Sequence, residues 1–299
     1  MPCYHPIEAV RVRGEPKLRF AWHSGLDIQD KLKVPCGRCV GCRLERSRQW
    51  AMRCVHEASL WPRNVFVTLT YNDANLPADR SLDHRHFQLF MKRLRKKFGS
   101  GPRFYMCGEY GETTFRPHYH VLLFNCDFPD KVLWRKTKHG HRCYRSSVLE
   151  ELWPFGFSEI ADVTFQSAAY VARYVMKKRT GDEAQDHYEY VDPVTGQVFQ
   201  RKAEYNCMSR RPGIGSAWFD KFSSDVYPGD FVVVNGKRCK PPRFYDNRFK
   251  LVDPLEFEEI QFERIARAEK KLDDNTPSRL YAKEQVALAR VGNLIRPLE

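Results

Sequence analysis

The stretch RFYMCGEYGETTFRPHYHVLLFNC, residues 103–126, reads as a β-hairpin. Its two arms, RFYMCGEY and HYHVLLFNC, are rich in aromatic and apolar residues, and the polar turn GETTFRP joins them. Upstream, NVFVTLTY (Asn64–Tyr71) is a further buried strand. It is followed by HRHFQLFMKRLRKKF, a strongly basic helix that closes at Gly99. Downstream, SSVLEELW is a short helix opening at a serine cap, FSEIADV a strand, and Gln166–Lys178 a helix. Strand–helix–strand–strand, then helix–strand–helix, is an α+β order with the hairpin at the centre of one sheet.

The chain has 299 residues, of which 42% are hydrophobic and 13% aromatic, enough for a large core. Lys and Arg number 50 against 37 Asp and Glu, a net charge of +13. That excess favours a polyanionic partner, nucleic acid before membrane. The start, MPCYHPIEAVRVRGEPK, lacks the apolar core of a signal peptide. No apolar run approaches the length of a membrane span. A cytosolic location is expected, and there the ten cysteines read as thiols or metal ligands rather than disulfides.

His118 and His120 flank Tyr119 in one strand and so share a sheet face. Two neutral imidazoles at that spacing chelate one divalent ion, and a carboxylate as third ligand suits Mg²⁺ or Mn²⁺. Glu109 ends the preceding strand and is the candidate; Glu112, in the turn, is the other. Two histidines satisfied in a core strand are the competing reading. Tyr170 and Tyr174, in AAYVARYVMKK, stand at i and i+4 on one helix face. A phenol with a pKa of about 10 needs help to ionise, and a metal polarising a phosphate does the complementary half of the work. Attack on a phosphodiester leaves the DNA joined to tyrosine and frees a 3′-hydroxyl, and a second tyrosine permits a second transfer. The competing reading is an aromatic stripe packed on the sheet. The small residues Ala168, Ala169 and Ala172 and the cations Arg173, Lys177 and Lys178 favour a phosphate site.

FVTLTY, GEYGETTFRPHYHVLLF and YVARYVMKK, in that order, resemble the three motifs of HUH endonucleases that initiate rolling-circle replication. The double tyrosine, PCGRCVGCRLERSRQWAMRC, MSRRPGIG and KPPRFY are similar to the initiators of gokushovirus-type microviruses, small single-stranded DNA phages. The resemblance covers roughly residues 1 to 250. It implies an RRM-like antiparallel sheet flanked by helices, with the metal site on its central strands. His118 and His120 match the metal pair, Glu109 a more variable third ligand, Tyr170 and Tyr174 the nucleophiles, and Lys177 or Lys178 the trailing lysine. Thr68 and Thr70 of the first motif are expected to support the site. The implied activity is nicking of an origin with a 5′-phosphotyrosine link, priming from the freed 3′ end, and later strand closure. It would run in the cytoplasm of a bacterial host with the host's DNA polymerase. No Walker-type G-x-x-x-x-G-K-[ST] run is present, so a host helicase is expected to unwind. An HUH relaxase or transposase, or a non-enzymatic zinc-stapled binder of single strands, are the alternatives.

Cys36, Cys39 and Cys42 follow a C-x-x-C-x-x-C spacing, and with Cys3 would make a tetrahedral Zn²⁺ site stapling a segment with little core. His5 or Cys54 are substitutes for Cys3, and an iron–sulfur cluster is the rival occupant. The remaining cysteines read as packing residues. Lys92, Arg93, Arg95, Lys96 and Lys97, the run WRKTKHGHRCYR (134–145), and Arg210 and Arg211 are candidate DNA contacts, with aromatics between cations suited to stacked bases. His139 and His141 read as loop. Hairpins are expected around DPVTGQ and across FVVVNGKRCKPPRFY, with Asn235-Gly236 at the second turn. The organisation expected is 1–60 cysteine-rich segment and helix, 61–180 endonuclease core, 181–250 hairpin and basic-loop extension, and 251–299 charged helical tail.

Overall fold

The computed structural model describes residues 3–23, 25–111, 114–138, 140–173, 183–234 and 236–293. They fall into two compact units: one formed by residues up to Arg46 with those from Glu258 onward, the other by residues 47–257.

In the first unit, β1 (Ile7–Val12) and β2 (Ile28–Val34) form an antiparallel hairpin. Helix α1 (Val40–Ser59) begins here, directly after Cys39, and carries Cys42 in its first turn. The helices that end the chain, α8 (Pro254–Glu269) and α9 (Pro277–Gly292), also contribute. The expected tail is thus grouped with the cysteine-rich segment, and His5 Nε2 meets Glu284 at 2.6 Å.

The second unit is built on an antiparallel sheet. Its strands are β3 (Asn64–Tyr71), β4 (Arg103–Tyr110), β5 (Pro117–Phe124), β6 (Val132–Lys136), β7 (Arg142–Arg145), β8 (Gly156–Asp162) and β11 (Tyr205–Met208), in the order β11-β4-β5-β3-β8-β7-β6. Helices α2 (His84–Phe98) and α3 (Ser147–Leu152) make the two crossovers. β3-α2-β4-β5-α3-β8 is therefore a β-α-β-β-α-β unit whose strands lie in the order second, third, first, fourth. The basic run 134–145 supplies residues of both arms of the β6–β7 hairpin, whose cations hide the strand alternation.

Alternation assigns the two faces. Val65, Val67, Leu69 and Tyr71 of β3, with Tyr119, Val121 and Leu123 of β5, pack against Phe87, Phe90, Met91 and Leu94 of α2 and Leu149 of α3. Asp83 caps α2 by accepting from Arg85 N, and Ser146 caps α3 by accepting from Leu149 N, the serine expected from sequence. Phe66, Tyr105, Leu122 and Phe124 face the other way, against Ala51 and Cys54 of α1 and Ala168, Tyr170 and Val171 of α4 (Phe165–Arg173). Gly156 starts β8 at φ 155°, and a Cβ there would come within 2.3 Å of Asn72 N. Glycine lets β8 press onto the end of β3.

After α4 come α5 (Glu183–Tyr188) and the expected hairpin of β9 (Glu189–Val191) and β10 (Val198–Gln200). α6 (Ser216–Phe222), a second hairpin of β12 (Val232–Val234) and β13 (Lys237–Cys239), and α7 (Arg243–Val252) complete the unit. The second hairpin is shorter than expected. Pro241 and Pro242 end it, and RFYDNRFKLV becomes a helix that buries Tyr245 and Phe249 at i and i+4. Asn235, placed at that turn from sequence, lies outside the described residues.

Candidate active site and metal-binding groups

β4 and β5 pair so that Glu109 stands opposite His118 and Cys107 opposite His120. β3, on the other side of β5, places Thr70 opposite His118 and Thr68 opposite His120. Side chains at these positions share the face away from α2. Glu109 Oε1 lies 2.8 Å from His118 Nε2 and 2.9 Å from His120 Nε2. The three residues form a group whose ligand atoms lie within 4.8 Å of one another. Glu109 and His120 are buried, and His118 is partly open to solvent.

Burial alone would raise the Glu109 pKa; hydrogen bonds and positive charge from His118 and His120 override it and hold the carboxyl at about 2. His118 Nδ1 is 3.0 Å from the Arg116 carbonyl, which only accepts, so Nδ1 carries the proton. Its Nε2 then faces the carboxylate either as an imidazolium N–H or as a lone pair sharing a cation with it. His120 Nδ1 is 3.0 Å from Thr68 Oγ1, leaving Nε2 toward the same carboxylate. Two imidazoles with partnered outer nitrogens and one buried carboxylate fit a divalent metal. Of the two carboxylates considered for the third position, Glu109 joins the histidines; Glu112 lies outside the described residues.

Thr164 and Ser167 cap the start of α4 reciprocally, Thr164 N donating to Ser167 Oγ at 2.8 Å and Ser167 N to Thr164 Oγ1 at 3.0 Å. The helix turns Tyr170 onto the sheet. The Tyr170 ring is 5.2 Å from that of His120, edge-on, and 6.4 Å from that of Phe66. One tyrosine is therefore beside the Glu109–His118–His120 group. Tyr174, Lys177 and Lys178 lie outside the described residues, as does the side chain of Arg173.

Cys3, Cys36, Cys39 and Cys42 form the second such group, with sulfurs within 4.8 Å of one another. Backbone N–H groups of Cys36, Cys39 and Tyr4 point at the sulfurs of Cys3, Cys36 and Cys39 at 3.3 to 3.4 Å. Gly37, at φ 75°, makes the tight turn inside Cys36–Cys39. Burial pushes the Cys3 and Cys42 thiols up; at Cys36 the backbone donors of Cys39 and Arg38 outweigh it and bring the pKa to about 7. Four crowded sulfurs ionise together only around a cation. Cys3 is the fourth member. Cys54 is instead buried in the core of the second unit, and His5 pairs with Glu284.

A family profile described as "Replication-associated protein ORF2/G2P" matches residues 64–179, the span from β3 through α4. Replication-associated protein VP4 of Bdellovibrio phage phiMH2K is 37% identical over 85% of this chain and 79% of its own length. Replication-associated protein ORF2 of Spiroplasma virus 4 is 31% identical over 84% and 81%, and ORF4 of Chlamydia phage 1 is 35% identical over 79% and 57%. The chain belongs to this family of phage replication-associated proteins. No solved structure gives a significant match.

The family's matched span contains the Glu–His–His group and Tyr170, but the expected DNA contacts are scattered around it. Lys92, Arg93, Arg95 and Lys96 lie on α2, which covers the opposite sheet face. Some of these cations have intramolecular work: Arg93 Nη1 donates to the Leu152 carbonyl at 3.3 Å, and Lys97 meets Glu151 at 3.2 Å. Arg210 and Arg211 are exposed in a loop tied to the far end of β4, where Arg103 Nη2 donates to Pro212 O at 2.8 Å. That end is six residues from Glu109, roughly 20 Å along the strand. In the β6–β7 hairpin, Trp134 is exposed with Arg145 over its ring at 5.0 Å, and Arg135 pairs with Glu159 at 2.8 Å. His141 lies in its turn, away from the Glu–His–His group, and His139 is outside the described residues. Among the described residues no helix is long and apolar enough to cross a membrane.

Proposed function

We propose that residues 61–180 are an HUH-type endonuclease that starts rolling-circle replication of a phage genome by nicking one DNA strand. The observation carrying this reading is the Tyr170 ring 5.2 Å from His120, whose Nε2 converges with that of His118 on Glu109. The strand order and the names of the relatives support it. The phenolic oxygen of Tyr170 or Tyr174 attacks phosphorus and loses its proton. The bond from phosphorus to the 3′ oxygen breaks, and that oxygen takes up a proton. The products are a 5′-phosphotyrosine and a free 3′-hydroxyl that a host polymerase extends. Bound at Glu109, His118 and His120, Mg²⁺ or Mn²⁺ supplies polarisation of the scissile phosphate. Lys177 or Lys178, with Arg173, adds positive charge beside it. The second tyrosine repeats the transfer and allows strand closure.

In the same reading Zn²⁺ holds Cys3, Cys36, Cys39 and Cys42. Arg210, Arg211 and the α2 cations Lys92, Arg93, Arg95 and Lys96 bind DNA away from the cut. The protein works in the host cytoplasm beside a host helicase. The test is the Tyr170→Phe, Tyr174→Phe double variant with Mn²⁺ and single-stranded oligonucleotides from a phage origin. Wild type should cleave and form an adduct that mass spectrometry maps to a tyrosine, and the double variant should do neither. Cleavage and adduct surviving in the double variant overturn the mechanism. A wild type that binds single strands and never nicks them is a binding protein.

A further inference from the structure

Glu109, His118, Thr70 and Phe157 stand side by side on four adjacent strands, by the registers Glu109↔His118, His118↔Thr70 and Thr70↔Phe157. They share a sheet face. Three are polar; the fourth, Phe157, is 64% exposed. The next positions on β8 with this orientation are Glu159, which pairs with Arg135, and Ala161, buried under the α1 and α4 cover. β7 pairs with β8 only at Ala161 and Ile160, so among the described residues no strand flanks Phe157 on its outer side.

Phe157 is also held firmly. Gly156 packs on the end of β3, Asn72 N donates to the Phe155 carbonyl at 3.0 Å, and Trp153 Nε1 donates to the Thr70 carbonyl at 3.1 Å. Its Cα stands two strand spacings, about 10 Å, from that of His118. Arg116 places its guanidinium near the same end of the sheet. Its Nη1 donates to the carbonyl of Tyr71 at 2.9 Å, and Tyr71 pairs with Gly156; Asp73 shares the guanidinium.

Resting on the endonuclease reading above, we propose that Phe157 is a stacking subsite for a nucleobase of single-stranded DNA, the base adjoining the phosphate that is cut beside Glu109, His118 and His120. An open aromatic ring level with a phosphate site matches the amphiphilic repeat of a single strand, with charge at one point and a flat π-face a short reach away. A duplex keeps its bases stacked on one another and offers no such face. The chain's net charge of +13 draws the polyanion, and stacking selects the unpaired strand. Because every base has a π-face, the subsite positions the strand without reading its sequence.

The test uses the full-length protein and a fluorescein-labelled oligothymidylate of about twenty nucleotides, read by anisotropy. Phe157→Ala should weaken binding by roughly five- to a hundredfold, and Phe157→Trp should stay within about twofold of wild type. Melting temperatures should be unchanged, since the ring is largely exposed. In Mn²⁺-dependent nicking of an origin oligonucleotide, an abasic site beside the cleaved bond should raise KM as much as Phe157→Ala does, and the two together no further. Binding by Phe157→Ala equal to wild type, or a full abasic penalty persisting in that variant, overturns the proposal. A wild type that fails to nick overturns the endonuclease reading instead, while the oligothymidylate result still decides Phe157.

Discussion

Thr68 stands directly across from His120 in the antiparallel pairing of β3 and β5, and its hydroxyl is 3.0 Å from the ring's Nδ1. If Nε2 binds metal, Nδ1 carries the proton and donates to Thr68, which fixes both tautomer and ring angle. Thr68→Val keeps the shape and removes the acceptor. We expect Mn²⁺ affinity, measured by titration calorimetry, to fall roughly 10- to 100-fold, with Thr68→Ser recovering most of it. Equal affinity in the valine variant would show that the hydroxyl does not orient the ligand.

Arg103 and Glu57 form a buried ion pair at 2.6 Å, with side chains only 15% and 2% exposed. The Glu57 carboxylate also accepts from Gly215 N at 2.8 Å, so one pair ties α1 and β4 to the loop carrying Arg210 and Arg211. Arg103→Met leaves a buried carboxylate without its cation and should destabilise the second unit by roughly 3–5 kcal/mol. Thermal or urea unfolding measures this. Substituting both residues with apolar ones of similar volume should recover part of the loss, because no buried charge then lacks its partner.

The strands around the hairpin were legible because alternation and apolar density run uninterrupted through β3, β4 and β5, and a short turn obliges Glu109 to meet His118. The helix caps at Gly99 and Ser146 were legible for the same local reason. Features made by distance were not. Nothing local to the α2 cations tells that their helix covers the face away from the histidines. That follows only from Phe87, Phe90, Met91 and Leu94 packing beneath Val65 and Val121. The β6–β7 hairpin was masked by its cations, since an edge strand with every residue exposed shows no apolar alternation. Thr68 was expected to support the site, and its contact with His120 follows because even-numbered residues of FVTLTY and HYH share a face once β3 lies beside β5. The Glu57–Arg103 pair and the His5–Glu284 contact, 46 and 279 residues apart, leave no trace in local pattern.

The cysteine group predicts metal in the protein as purified. Metal analysis should find about one equivalent bound there, and Cys39→Ala should reduce it to near none, with faster hydrogen exchange through β1 and β2. Zinc leaves the visible spectrum empty, whereas an iron–sulfur cluster colours it. Full metal content in Cys39→Ala would mean that this sulfur is not a ligand.

His56 gives the chain a definite response to acid. Its ring stacks on Trp218 at 3.6 Å between centroids, and Nδ1 lies 2.9 Å from the Tyr245 hydroxyl. Burial lowers its pKa from an ordinary 6.5 to about 4. Above the unfolded value both states are neutral, and folding bears no cost from this residue. As pH falls from 6.5 toward 4 the unfolded chain takes up a proton that the folded chain refuses, so stability is lost across that window. The loss, from this group alone, totals roughly 3 kcal/mol once pH is below the folded value. His56→Gln keeps a hydrogen-bonding partner for Tyr245 and cannot be protonated. Denaturant unfolding at stepped pH should therefore show wild type losing stability relative to that variant between pH 6.5 and 4. Parallel curves for the two proteins across the window would show that His56 is protonated equally in both states.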